Sequence, residues 1–340
     1  MVEARPDLSI VVPMFNEEEM VPIFVARLTE VLAQGGSSYE IICINDGSRD
    51  LTAQALADAH ARDDRIRVIN LSRNFGKEIA LTAGLDHASG RAVVPMDADL
   101  QDPPELLPAM MEQWRAGFDV VCAVRREREA DSWMKRVTAR AFYFVIGRLA
   151  GIDITPDAGD FRLMDRRVVV ALSTLRERNR FMKGLFAWVG FRRTEVLYDR
   201  PERAAGETKY SYWKLWNLAL DGITGFSTLP LRMAGYLGSL MAVASFAYGL
   251  YLAVRTLFEG VDVPGYASLM DAILFASGVQ LMVLGMIGEY LGRVYGETKN
   301  RPLYLTESML GVRPELGAFG ASLGQACEKC GTFEGAAPRN

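Results

Sequence analysis

Along the first two-thirds of the chain, short apolar runs alternate with longer amphipathic ones. Leu8–Pro13, Tyr39–Asn45, Ile66–Asn70, Arg91–Asp97 and Asp119–Val124 are rich in Val and Ile and almost continuously apolar, as strands covered on both faces are. Between them, Glu17–Ala33, Thr52–Asp63, Lys77–Ala88 and Glu105–Ala116 carry helical periodicity. The alternation predicts right-handed βαβ units and a mostly parallel, Rossmann-like α/β sheet. Ligands of such sheets sit at the carboxyl ends of the strands. There the polar clusters fall: PMFNEEE after the first strand, NDGSRD after the second, SRNFGK after the third and DADLQD after the fourth.

From residue 211 the pattern changes. In SYWKLWNLALDGI, Tyr212, Trp216, Ala219, Leu220 and Ile223 share one helical face, with Lys214, Asn217 and Asp221 elsewhere. A helix lying at a membrane surface and an ordinary amphipathic helix packed on the globular domain both fit this stretch. Met233–Val254 carries no charge, and neither does Ala272–Gly288; Asp271 is the one interruption of a longer apolar stretch from Val263. The first is long enough for a hydrocarbon core of about 30 Å, and the second becomes so if its helix starts near Tyr266. The linker carries Glu259 and Asp262, whereas Lys214, Arg232, Arg293, Lys299 and Arg301 lie outside the pair. The positive-inside tendency then places both flanks, and so the α/β domain and both termini, in the cytoplasm. Gly288 and Gly292 have the GxxxG spacing of helix contacts, which makes a homo-oligomer an expectation.

Composition narrows the classes. Of 340 residues, 50% are hydrophobic and 24% charged, so the apolar content is concentrated rather than spread. A net charge of −4 argues against nucleic acid as a partner. Cys43 and Cys122 lie in strand-like runs and read as buried thiols, and Cys327 and Cys330 form a lone CxxC with too few ligands for zinc. The acidic start MVEARPDLSIVVP is not that of a secretory signal.

The chemistry concentrates in VVPMDADLQDPPE, where Asp97, Asp99 and Asp102 crowd within six positions. Like charges so close are tolerable where a cation sits among them. On an extended backbone Asp97 and Asp99 point the same way, and Gln101 continues the alternation. Oxygen ligands of this kind select Mg²⁺ or Mn²⁺, which commonly bind substrate phosphates as well. No GxGxxG follows the first strand and no GxxxxGK[ST] occurs anywhere, which removes the dinucleotide and P-loop readings. Instead Pro13, Asn16 and Glu17 follow the first strand and Asp46–Gly47–Ser48 the second.

Together SIVVPMFNEEE, INDGSRD, SRNFGKEIALTAGL, MDADLQDPPE, DAGDFRLMD and AGETKYSYWKLWNLALDGI resemble the GT-A-fold family 2 glycosyltransferases that load sugars onto polyisoprenyl phosphates. The nearest likeness is to the bacterial bactoprenol glucosyltransferases, with dolichol-phosphate mannose synthases more distant. It spans about residues 7–305. It implies a GT-A domain over 1–210, an interfacial helix region over 211–230, a two-helix transmembrane domain over 231–295, a return segment over 296–310 and a tail beyond. It further implies that Pro13, Asn16, Glu17, Asp46, Lys77 and Asp97 hold a nucleotide sugar, UDP-glucose first among them. Asp97, Asp99 and Gln101 would hold the divalent cation, and Asp157 would be the catalytic carboxylate, with Asp153 and Asp160 as competitors. Arg125, Arg128, Arg200, Arg203 and Lys209 would meet the phosphate of a polyprenyl phosphate at the bilayer. Processive polysaccharide synthases are the nearest rival, but they carry a QxxRW motif where this chain reads ERNRFMKGLFAW. A non-catalytic membrane scaffold that has kept the fold is the other.

Overall fold

The structure, a computed structural model, describes residues 5–126, 158–178, 180–198, 229–259 and 265–312. It divides into two compact units, one built on a sheet and the other on two long helices.

The first unit holds eight strands: β1 Leu8–Met14, β2 Tyr39–Asn45, β3 Ile66–Leu71, β4 Ala92–Pro95, β5 Val120–Arg125, β6 Ala158–Asp165, β7 Arg193–Tyr198 and β8 Thr306–Leu310. They form one sheet in the order β7-β5-β6-β4-β1-β2-β3-β8. The pairs β1–β2, β1–β4, β2–β3 and β5–β7 are parallel, and β3–β8, β4–β6 and β5–β6 are antiparallel. The helices are α1 Met20–Gln34, α2 Thr52–Arg62, α3 Lys77–His87, α4 Leu107–Arg115, α5 Arg166–Thr174 and α6 Met182–Trp188.

The expected burial on both faces is observed. Leu8, Ile10, Val12 and Met14 of β1 pack into one core with Phe24 and Leu28 of α1, Leu56 of α2 and Met110 of α4. On the opposite face α3 comes so close that a Cβ on Gly84 would lie 2.2 Å from Val11 and 2.6 Å from Ile44. Only glycine allows that approach. Cys43 and Cys122 are buried free thiols, and burial pushes the Cys43 thiol up to about 12.

Of the strands that the apolar runs do not mark, β6 inserts between β4 and β5, and β7 and β8 form the two edges. β8 returns the chain to the outer edge of β3, where the Ser72 amide donates to the Leu305 carbonyl at 2.9 Å. The Tyr304 hydroxyl donates to Asp86 at 3.0 Å.

The second unit contains α7 Leu229–Glu259 and α8 Tyr266–Thr298. Both outrun the apolar windows Leu231–Tyr251 and Phe275–Thr298, which are long and apolar enough to cross a membrane. α8 starts at Tyr266, the start that the second span requires. Burial in a soluble core is the competing explanation, and the exposures contradict it. Phe246 is 77% exposed and Phe258 86%, and only 6% and 0% of the two windows are buried. Large apolar side chains left open along both helices need lipid or a partner.

Candidate active site

The site edge is assembled by topology. β1, β2, β3 and β4 run parallel and end together, and β5, antiparallel to β6 as β6 is to β4, ends on the same side. Because β6 runs the other way, its first residues arrive where β4 leaves. Lys77, the first residue of α3, therefore lies between Asp160 in β6 and Asp97, two residues past β4. Lys77 Nζ lies 2.7 Å from Asp97 Oδ1 and 3.0 Å from Asp160 Oδ2. It also donates to Asp97 Oδ2 at 2.8 Å.

The loops that carry these groups are tied to one another. Asn16 adopts a left-handed backbone, φ 54°, which asparagine tolerates better than most residues. Its amide donates to Ser48 Oγ at 3.0 Å, and its Oδ1 accepts from the Arg49 amide at 2.9 Å. The Glu17 amide donates to Thr52 Oγ1 at 2.9 Å. Asp46, 3% exposed, accepts from the Phe75 and Gly76 amides at 2.7 and 2.9 Å. Burial holds its carboxyl above the usual range against those bonds. Asp46 thus braces the turn that launches α3 and sets where Lys77 begins. Gly47, φ +64°, has no room for a side chain, since a Cβ would lie 2.3 Å from the Arg73 carbonyl carbon.

The acidic loop departs from its expected geometry. β4 ends at Pro95 and not at Asp97; the Met96 amide makes one more ladder bond, to the Val11 carbonyl at 3.0 Å. Beyond it the chain turns, with Leu100 at φ 56°. Strand alternation therefore does not align Asp97, Asp99 and Gln101. The turn instead joins two of them: the Gln101 amide donates to Asp99 Oδ1 at 3.1 Å. A leucine in the left-handed region is strained, and such strain gathers at functional loops. Gln101 is buried, and its Oε1 has no hydrogen-bond partner. A buried oxygen with open lone pairs, two positions along the chain from a carboxylate, suits a hard cation. Among the described residues no group of three or more His, Cys, Asp or Glu forms a ready cage. Mg²⁺ and Mn²⁺ sites of this kind instead take one or two carboxylates plus substrate oxygens.

Charges accumulate around this point. Burial alone would lower the Lys77 pKa, but Asp97 and Asp160 outweigh it and hold the ammonium firmly charged. Burial works to raise Asp160, and Lys77 and Lys183 together bring it below the usual carboxylate range. Glu78, next along α3, is pushed up to about 7 by burial and then by the charge of Asp160. Its Oε2 and Asp160 Oδ1 are both buried without a hydrogen-bond partner.

Of the residues marked in the sequence, the structure brings Lys77 and Asp97 into contact; it places Pro13 as the last but one residue of β1 and Asn16, Glu17, Asp46, Asp99 and Gln101 in loops of the same edge. Arg125 ends β5 and pairs in register with Tyr198. Asp157, Arg128, Arg200, Arg203, Lys209, the stretch 211–225 and Cys327 and Cys330 lie outside the described residues. Asp160, named in the sequence only as a competitor of Asp157, reaches Lys77 as Asp97 does. Glu78 and Lys183 went unmarked, although NFGKE and RFMKG display them. A site with an anchored lysine, two loop carboxylates and an open amide oxygen can hold a metal-bound diphosphate.

The model of glycosyl transferase family 2 matches residues 9–172, and that of the GtrB C-terminal hairpin matches residues 229–294. An uncharacterised glycosyltransferase of Synechocystis is 58% identical over 306 residues, which cover 90% of this chain and 96% of that one. The SfII prophage-derived bactoprenol glucosyl transferase of Shigella flexneri is 49% identical over 298 residues, 88% of this chain and 96% of that one. Among solved structures, glucosyl-3-phosphoglycerate synthase from Mycobacterium tuberculosis is 19% identical with a TM-score of 0.44, over 64% of this chain and 78% of that one.

Proposed function

The chain belongs to glycosyl transferase family 2, and on that footing we propose that it moves glucose from UDP-glucose to a polyprenyl phosphate at the cytoplasmic face of a membrane. The observation that carries this reading is the near-full-length identity to a bactoprenol glucosyl transferase, helical hairpin included. The two exposed apolar helices agree with an acceptor whose tail stays in lipid. In this reading the catalytic domain and both termini are cytoplasmic. Self-association through Gly288 and Gly292, where a Cβ would meet nothing within 4 Å, belongs to the same proposal.

The nucleotide is framed by Pro13, Asn16 and Glu17, with Asp46 bracing the loop behind them. Asp97, Asp99 and Gln101 would hold the divalent cation, Mg²⁺ or Mn²⁺. When bound, it supplies Lewis-acid stabilisation of the charge that develops on the leaving diphosphate. Lys77 adds a fixed positive charge on the same side. Attack by the acceptor phosphate oxygen on the anomeric carbon, opposite the departing UDP, inverts the configuration. A phosphate monoester, with a second pKa of about 6, is largely ionised at pH 7 and needs little deprotonation. Asp157 then serves to orient the acceptor and draw off a residual proton. Arg125, Arg128, Arg200, Arg203 and Lys209 are the cations proposed for its phosphate.

The test is transfer of radiolabelled glucose from UDP-glucose to a short polyprenyl phosphate by the purified protein in detergent. We expect product that disappears with chelator, and a loss of about 100-fold or more in Asp99→Asn at an unchanged melting temperature. Transfer undiminished after complete removal of divalent ions overturns the metal assignment. Failure to turn over UDP-glucose while another nucleotide sugar is used overturns the donor.

A further inference from the structure

We infer that Lys77 is a built-in rival of the divalent cation, seated on Asp97 in the donor-free enzyme and displaced only when metal and nucleotide arrive together. The inference rests on the proposed metal site and adds an order of binding to it.

Lys77 engages both oxygens of Asp97, at 2.7 and 2.8 Å. An ammonium so placed uses a lone pair of each oxygen, and its charge opposes that of a cation bound to Asp97. Its side chain is 39% exposed and that of Asp97 40%, so the pair can open without disturbing the core. The backbone beneath is fixed, since Asp46 pins the Phe75 and Gly76 amides and Lys77 follows at once. Only the side chain has freedom to swing.

It also has a place to go. Lys77 already touches Asp160 Oδ2 at 3.0 Å, and Asp160 Oδ1 is buried with no hydrogen-bond partner. An ammonium with three N–H groups can leave Asp97, keep Asp160 and give its freed hydrogens to a diphosphate. Among the described residues the other charges near this pivot are Glu78, Lys183 and Arg162, all within reach of Asp160 electrostatically.

The consequence is coupling. A bare divalent cation must evict Lys77 and leave an ammonium short of one carboxylate beside a new double charge. A cation that arrives with a nucleoside diphosphate brings the anionic oxygens that replace Asp97 in the lysine's coordination. Metal and nucleotide therefore tighten each other, and linkage makes the factor the same in both directions.

The test is Mn²⁺ binding to the full-length protein in detergent, read from the free-ion electron paramagnetic resonance signal with and without UDP. In the wild type we expect weak binding of Mn²⁺ alone and a large tightening by UDP. Lys77→Met should bind Mn²⁺ alone about fivefold more tightly, the scale of a partly exposed ion pair removed, and UDP should add less. Lys77→Arg should behave like the wild type. Lys183→Met, which removes a nearby charge outside the Lys77–Asp97 contact, should gain less than Lys77→Met. The proposal fails if Lys77→Met and Lys77→Gln, both with wild-type melting temperatures, bind Mn²⁺ alone no more tightly than the wild type. It also fails if Lys183→Met gains as much, because net charge and not contact is then responsible. The metal site is tested apart from it: Asp99→Asn should lose Mn²⁺ binding in the presence of UDP. If Asp99→Asn keeps that binding, the site itself is wrong, whatever Lys77 does.

Discussion

The two edges of the one sheet hold buried carboxylates in opposite conditions. At the amino edge Glu40, 2% exposed, is saturated. Its Oε1 accepts from Ser9 Oγ and from the Ser89 amide and hydroxyl, and its Oε2 pairs with Arg67 and again with Ser89. Ser9 in turn accepts from the Gly90 amide at 2.7 Å. At the carboxyl edge Asp160, Glu78 and Gln101 each keep a buried oxygen without a hydrogen-bond partner, and one lysine is shared between two acids. Unmade hydrogen bonds of buried groups cost stability. A fold that completes one network and leaves the other open is bearing that cost where a ligand will complete it.

The comparison is broken first by emptying the saturated edge. Glu40→Ala leaves Arg67 and three hydrogen-bonding groups facing a hole, and loss of a buried partner of this kind costs about 3–5 kcal/mol. Chemical denaturation should show that loss, while transfer per folded molecule at low temperature stays near the wild-type value. If activity falls and stability does not, the two edges are not functionally distinct.

The next effect belongs to the loop that carries the site. Gly47→Ala forces a Cβ against the Arg73 backbone at a left-handed φ. We expect destabilisation of about 2–4 kcal/mol, together with weaker UDP binding in calorimetry, because residues 73–76 must shift and Lys77 with them. Unchanged UDP affinity in a destabilised Gly47→Ala would detach this loop from the site.

How much of this was legible in the sequence follows from what each element is made of. β1 to β5 read within two residues of their ends because burial on both faces makes their apolar runs continuous. β7 alternates exposed and half-buried positions and ends on a buried tyrosine, and β8 has one buried residue in five. Their partners are far away in sequence, so neither gave a local signal. Glu40 and Ser9 lie inside strand runs, where a single polar residue says nothing of its partners. The loops of the site were legible as loops. That Lys77, Asp97 and Asp160 converge is a property of strand order, above all of the reversal of β6. The alignment of Asp97 with Asp99 was argued from the wrong local geometry, since Pro95 closes the strand before either is reached.

The smallest effect sharpens the contrast, because it asks whether the open edge behaves as open. Burial, which penalises its charged form, pushes the Glu78 carboxyl up to about 7 from an ordinary 4.5. A raised carboxyl pKa means that the folded state binds the proton more tightly than the unfolded chain does. The stabilisation from that proton is complete below about pH 4.5 and is lost as pH rises through 7. Glu78→Gln mimics the protonated form at every pH. It should therefore match the wild type in thermal stability near pH 4.5 and exceed it by about 1–3 kcal/mol at pH 8. The gain should grow across that interval. A pH-independent difference would mean that Glu78 finds its missing partner within the protein, and the carboxyl edge would be less open than the unsatisfied oxygens make it.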